Sequence, residues 1–324
     1  MERAPDMDVT RRKALTAGAL GALGTAGLAA TAGTAQAATT APDRPPQGAG
    51  RGAALIGPAN GDTLHVASFN IRVDIGAPAG SDDSWTDRLP VLAEFLAVEQ
   101  PTVLGVQEAL YEQVKQVDAA LPAHYDSIGL GRQGGSEDEF CSIHFDADRL
   151  EPLAFDHFWL SDTPHVIGSV TWGNAVVRMV SWVRMADRRT GVEFVVANTH
   201  FDHVSEYSRV RSAELLRDRV RDVAGDDPVL VLGDFNSPAG GGGAYDVLVD
   251  DGLVDTWNTG RRLTPEWGTF PNYGDPVDGG DRIDWILTGG DAVTREVALN
   301  PFRIDGRYPS DHLPVQALVD LGRA

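Results

Sequence analysis

Five short segments of this chain place carboxylate, amide or imidazole groups at the end of an apolar run or close to it. They are Ser68-Phe69-Asn70-Ile71-Arg72, Val106-Gln107-Glu108, Asn198-Thr199-His200-Phe201-Asp202-His203, Gly233-Asp234-Phe235-Asn236 and Ser310-Asp311-His312. Carboxylate and amide oxygens are the ligands that hard divalent cations take. Imidazoles and amides suit the charge that develops on a phosphoryl group. Strand ends from distant parts of a chain can converge on one site, so the five segments together suit metal-assisted chemistry on a phosphate.

Each segment also has a plainer reading. Asp234 and Asn236 lie two apart, so both point the same way if strand geometry persists, where they would position a water and hold a phosphate oxygen. Alternatively they form an Asx-type turn after the strand, bonded only to backbone. Glu108 is either a metal-ligating carboxylate or an acid favoured by the start of the next helix. Asp311 and His312 face different ways in an extended segment, so one can serve a metal and the other a phosphate. Asp284, in Arg282-Ile283-Asp284, is placed to orient His312 through a hydrogen bond. His200 and His312 could equally be capping or surface histidines. The glycine run 240–243 lacks the Lys and Ser/Thr of a phosphate-binding loop and reads as a flexible loop, and there is no Gly-x-Ser-x-Gly elbow or zinc spacing.

The elements that must carry these groups follow from periodicity. Alternation predicts strands at Leu64–Asn70, Val103–Gln107, Ser127–Leu130, Phe140–Phe145, Leu153–Leu160, Met179–Met185 and Val192–Asn198. Residues 187–191 would turn a hairpin between the last two. Val229–Leu232 is the most apolar strand and runs straight into Gly233-Asp234; Ile283–Leu287 and Pro314–Leu321 close the domain. Helical spacing marks Trp85 to about Val98, Tyr111–Ala120 and Ser205 to about Val223. This mixture of strands and helices predicts an α/β sandwich.

The chain's ends and composition bound its setting. Residues 1–37 read as an export signal. Thr10-Arg11-Arg12-Lys13-Ala14-Leu15 resembles a twin-arginine pattern, with Ala14 where Phe is usual, and Ala35-Gln36-Ala37 fits a cleavage site. A membrane anchor is the alternative, but the Gly-rich run makes a poor spanning helix. Residues 38–62 are rich in Ala, Pro and Gly and are expected to be a disordered linker, leaving 63–324 as one domain. The expected product is a secreted monomer without a stable membrane anchor. Net charge is −20, and removal of residues 1–37 changes it by only one unit and leaves Lys115 as the sole lysine. Such a surface disfavours nucleic acid as a partner at long range. The single cysteine, Cys141, permits no intrachain disulfide and is expected to be a small buried hydrophobe.

In this order, the segments resemble the endonuclease/exonuclease/phosphatase superfamily, the DNase I-like phosphoesterases. The resemblance covers Leu64 to Leu321 and extends to Trp85-x-x-Arg88 and Phe158-Trp159-Leu160-Ser161-Asp162-Thr163-Pro164. It implies a four-layer α/β sandwich with two packed mixed β-sheets and the site at one rim. It implies Mg²⁺ or Mn²⁺ held among Asn70, Glu108 and Asp311. Asp234 would activate or orient the attacking water with Asn236 beside it, His200 and His312 would contact the phosphate, and Asp284 would pair with His312. Glu139 matches a polar position near the site in some members. The stretch after His200 looks like the secreted bacterial branch.

These readings favour an exported, metal-dependent hydrolase of a small or lipid-linked phosphate ester. Trp267, Phe270 and Tyr273 could contact its leaving group or simply pack a long loop. An extracellular nuclease is the alternative, and it requires an arginine-rich rim from residues such as Arg178, Arg209 and Arg211. A non-catalytic binding protein on the same fold is a third possibility, set against by the full complement of polar positions.

Overall fold

The apolar alternations become thirteen strands and five helices in a computed structural model that describes residues 53–322. In chain order the first half holds β1 (Thr63–Asn70), α1 (Trp85–Glu99), β2 (Val103–Ala109), α2 (Tyr111–Ala120), β3 (Tyr125–Ile128), β4 (Phe140–Asp146), β5 (Leu150–Trp159) and β6 (Met179–Asp187). The second half holds β7 (Glu193–His200), α3 (Glu206–Ala224), β8 (Val229–Asp234), α4 (Ala244–Val249), β9 (Val254–Asp255), α5 (Thr256–Thr259), β10 (Arg261–Arg262), β11 (Asp284–Gly289), β12 (Val293–Leu299) and β13 (Val315–Asp320).

The strands form two mixed sheets, ordered β10-β12-β13-β1-β2-β4-β3 and β5-β6-β7-β8-β11-β9. Pairs β1/β2 and β7/β8 are parallel, and β1/β13 and β8/β11 antiparallel. One apolar core lies between the sheets, with Val66, Val103 and Ile143 of the first against Val196, Leu232 and Ile286 of the second. Two outer cores cover the other faces. Phe69, Leu104 and Val106 pack under Leu92, Phe95 and Leu96 of α1. Val195, Val231 and Leu287 pack under Leu216 and Val220 of α3. The order helix, sheet, sheet, helix is the expected four-layer α/β sandwich of the DNase I-like fold.

Several elements differ from expectation. β12 and the short α4, α5, β9 and β10 carry no clear periodicity. β3 and β5 begin earlier than the alternation suggests, β5 with a register shift between Pro152 and Ala154. Cys141 is buried in β4. The export signal lies outside the described residues, as does residues 38–52 of the expected linker. From 55 to 57, however, that stretch is tied to the domain: the N–H groups of Leu55, Ile56 and Gly57 donate to the buried Glu99 carboxylate. Among the described residues no helix is long and apolar enough to cross a membrane.

Candidate active site

Period two decides which side chains reach the site. On β8, Leu230 and Leu232 face the inter-sheet core, so Asp234 continues the same row. On β7 the row is Phe194, Val196, Asn198, His200; on β1 it is Leu64, Val66, Ser68, Asn70; on β11 it is Ile286 and Asp284. Pairing brings these row ends together: His200 and Asp284 both lie opposite Asp234. Sites grow from the core because the polar residues are the last members of core-facing rows.

The sheets are bolted together just beneath. Asn198 donates to the carbonyls of Val106 and Ser142 (2.9 and 2.8 Å), and Gln107 donates to Asn198 Oδ1 at 2.6 Å. This close approach needs Gly105, where a Cβ would stand 2.9 Å from Asn198 Oδ1.

Glu108 breaks the row rule. Parity gives the inner face of β2 to Gln107, but Glu108 has φ +65°, and the β2/β4 register shifts between Val106 and Ala109. A bulge with left-handed backbone re-aims a side chain, and such strain clusters at functional sites. Asn70 Nδ2 then donates to Glu108 Oε1 at 2.9 Å and to Asp234 Oδ2 at 3.0 Å, bridging the sheets. Hydrogen bonds from Asn70 and from the Val73 N–H outweigh the effect of burial and hold the Glu108 carboxyl below its ordinary range.

Asn236 also sits in left-handed backbone, φ +48°, so strand geometry does not persist past Asp234. The turn reading is correct for the backbone: Asn236 N–H donates to Asp234 Oδ1 at 2.9 Å. The side chain nonetheless stays in the site, donating from Nδ2 to His200 Nε2 at 3.0 Å and to the Phe201 carbonyl at 3.1 Å. His200 Nε2 is thus an acceptor. Burial, then the positive charge of Arg178, lowers its pKa well below the ordinary value, so this imidazole is neutral.

His312 is the opposite case. Its Nδ1–H donates to Asp284 Oδ2 at 2.9 Å, and its Nε2 is 3.8 Å from Asp234 Oδ2. Burial alone would lower its pKa, but the carboxylates of Asp284 and Asp234 push it up to about 10. Burial and the charge of Asp284 push Asp234 up to about 7. Two buried histidines in one cavity are therefore set apart, one neutral and one protonated.

Helix α1 holds the remaining segments. Buried Arg88 donates to the carbonyls of Ile71 and Pro309 from Nη1 (2.6 and 3.0 Å) and to that of Arg72 from Nη2 (3.1 Å). It fastens the loop after Asn70 to the loop before Asp311. Ser310 Oγ donates to the Asn70 carbonyl at 2.6 Å.

All eight sequence-identified residues meet here. Glu108, His200, Asp234, Asn236, Asp311 and His312 line a cavity of about 420 Å³, and Asn70 and Asp284 are bonded into it. The cavity also holds Arg72, Arg132, Glu139, Arg178 and His203. Arg132 pairs with Glu139 through both guanidinium nitrogens, at 2.8 and 2.9 Å, and burial pushes the Glu139 carboxyl up to about 7. Arg178 is buried and donates to His203 Nδ1, while its Nε has no partner. Of the arginines named for a nuclease rim, only Arg178 lines the cavity. Arg209 pairs with Glu206, and Arg211 lies over Trp172 beside Glu214 in a separate groove. Arg132 gave no signal because it sits in a loop; Arg72 stood in a recognised segment without an assigned role.

The donor set fits a hard divalent cation. Glu108, Asp234 and Asp311 present carboxylate oxygens, and a group of Glu108, His200 and Asp234 ligand atoms lies within 4.8 Å. The Arg72 guanidinium, bonded to Asp83 at 3.0 Å, also lies 3.9 Å from Glu108 and 3.7 Å from Asp311. Asn70 turns its amide N–H groups to the carboxylates and its oxygen to the Arg72 N–H, so a half turn of the amide would offer that oxygen.

Residues 67–312 match the family model described as Endonuclease/Exonuclease/phosphatase family, and the chain belongs to that family. It is a phosphoesterase hydrolase. A solved structure of an endonuclease/exonuclease/phosphatase from Bacteroides vulgatus is 30% identical, with TM-score 0.75, over 80% of this chain and 99% of that one. A mannosyl-6-phosphatase from Bacteroides thetaiotaomicron is 31% identical, with TM-score 0.74, over 79% of this chain and 99% of that one. The human nocturnin catalytic domain shares the fold at 17% identity and TM-score 0.62, over 81% and 94% of the two chains. No curated protein matches the chain in sequence.

Proposed function

We propose that this protein is an exported, divalent-metal-dependent hydrolase of a small-molecule or lipid-linked phosphate ester. The observation that carries the reading is the grouping of Asp234 between a neutral His200 and a protonated, Asp284-held His312 in one cavity with Glu108 and Asp311. Asp234, near neutrality in pKa, takes the proton of an attacking water, Asn236 Oδ1 accepts that water's second hydrogen bond, and neutral His200 holds the Asn236 amide in place. The His312 imidazolium faces the charge that builds on phosphorus, the electrostatic support that such transition states require. Glu108, Asp311 and the Asn70 oxygen are the groups that would hold Mg²⁺ or Mn²⁺, whose contribution is charge neutralisation at the phosphoryl oxygens.

Two observations favour a small ester over nucleic acid: the net charge of −20 and 31% identity to a protein named as a mannosyl-6-phosphatase. Export rests on the twin-arginine-like start and on Ala35-Gln36-Ala37, and fractionation of an expressing culture tests it. Activity is tested by incubating purified protein with Mg²⁺, Mn²⁺ or EDTA and a panel of phosphate monoesters, a bis-aryl diester, sphingomyelin, phosphoinositides and plasmid DNA. Metal-dependent release from a monoester or lipid with intact plasmid is the expected result. Rapid plasmid nicking would instead establish the nuclease.

A further inference from the structure

A second, smaller hollow opens beside the catalytic cavity and shares one residue with it. It measures about 290 Å³ and is lined by Gly268, Phe270, Pro271, Val277, Asp281 and Ile283, among others. The shared residue is Phe270, which borders both spaces. The residue is 48% exposed, and its ring centroid is 4.8 Å from that of His312 at an interplanar angle of 48°. The ring thus presents an uncovered apolar face beside the His312 imidazole, where a ligand group could lie against it. The other aromatics of this loop are accounted for: Trp267 is buried in the inter-sheet core, and Tyr273 donates its hydroxyl to Asp83.

The hollow is built to stay open. Gly268 and Gly280 stand back to back, and a Cβ on Gly280 would come within 3.0 Å of Gly268 Cα. A Cβ on Gly268 would likewise stand 3.2 Å from Gly280 Cα, so a side chain at either position crowds the facing backbone. The N–H groups of Gly268 and Gly280 donate to the Val277 carbonyl, and that of Thr269 to the Asp281 carbonyl. The loop is also fastened to the catalytic segment: Asn272 N–H donates to the Asp311 carbonyl at 3.0 Å, and Leu313 N–H to the Thr269 carbonyl at 2.8 Å. The hollow therefore keeps a constant position relative to His312.

Building on the phosphatase reading, we infer that this hollow receives the alcohol part of the substrate, and that the alcohol is a single sugar ring. A pyranose has an apolar C–H face, which matches the open face of Phe270, and a hydroxyl edge, which requires acceptors such as the exposed Asp281 carboxylate. Small-molecule sites span roughly 300–1,000 Å³, so a space at the lower end takes one ring rather than an extended chain. Phe270 and Asp281 are on this account specificity-determining residues, outside the bond-breaking machinery.

The test compares kcat/KM for a hexose 6-phosphate with that for methyl phosphate, which has no ring to place. Wild-type protein, Phe270→Ala, Phe270→Tyr and Asp281→Asn are measured with Mg²⁺, and each variant's thermal unfolding is followed. The hexose-to-methyl ratio should fall about tenfold or more in Phe270→Ala and in Asp281→Asn, the loss expected from one removed ring contact or hydrogen bond. Phe270→Tyr should keep the ratio. A ratio unchanged in both Phe270→Ala and Asp281→Asn overturns the sugar subsite while leaving the phosphatase reading intact. If Phe270→Ala fails to fold, the exposed Asp281→Asn decides alone. A wild-type ratio near one, or a selective loss in Phe270→Ala on a short-chain lipid phosphate but not on the hexose phosphate, also overturns it. Failure of the wild type to hydrolyse any ester would overturn the phosphatase reading itself.

Discussion

At the scale of single residues the site works by giving like groups unlike charges. His200 and His312 sit in one cavity, yet burial and then Arg178 keep the first neutral while Asp284 and Asp234 keep the second protonated. Replacing His312 by Ala should lower kcat by roughly 10³-fold, within the range of a positioned proton or charge donor, and a steady-state assay on the preferred ester measures it. Asp284→Asn should act through the pH profile. The carboxylate raises the His312 pKa, so the imidazolium persists until the pH approaches about 10; without it the proton is lost at lower pH, and the alkaline limb of the kcat profile should move toward neutrality. An unmoved limb would show that His312 is not the group titrating there. Asp234, His200 and Asp284 were legible in the sequence because apolar strands ran straight into them or out of them. Arg132 was not, since a loop residue has no row to continue, and the positive φ that turns Glu108 into the site has no reliable sequence signature.

At the scale of elements, strands read well where one residue type filled both faces, as in Val229–Leu232, and poorly where charge interrupted the pattern. β12 carries Arg295 and Glu296 at its centre, beside a register shift between Thr294 and Glu296, so its alternation is broken twice. The expected end of the linker at residue 62 failed for a different reason. Its backbone satisfies a buried acid at the end of α1, a long-range contact that composition does not encode. Glu99 accepts from Leu55, Ile56 and Gly57 N–H groups and from Asn300 Nδ2 at 2.9 Å. Glu99→Ala would strip these donors of the carboxylate and leave the buried Gly57 N–H without a partner, at a cost of about 1–3 kcal/mol. Urea unfolding should show that drop in midpoint with little change in slope, along with faster proteolysis near residue 57.

At the scale of the whole molecule, stability should depend on pH through a residue far from catalysis. Burial lowers the β5 residue His157 to a pKa of about 4, and its Nε2 has no partner. As pH falls below the unfolded value near 6.5, the unfolded chain takes up a proton that the folded chain refuses, so the stability present above that pH declines until about pH 4. At pH 5 the loss is roughly 2 kcal/mol, and His157→Gln should remove that part of the slope in chemical denaturation at pH 7 and 5. The two-sheet construction has a consequence of its own. Asn70 and Glu108 come from one sheet, and His200, Asp234 and Asp284 from the other. The reacting geometry is thus a gap between two plates, held by Asn70, Gln107 and Asn198. On gentle heating, a slip of the plates that leaves every strand paired would open that gap. Turnover should then fade while circular dichroism still reports an intact fold, which makes activity the more sensitive thermometer of this molecule.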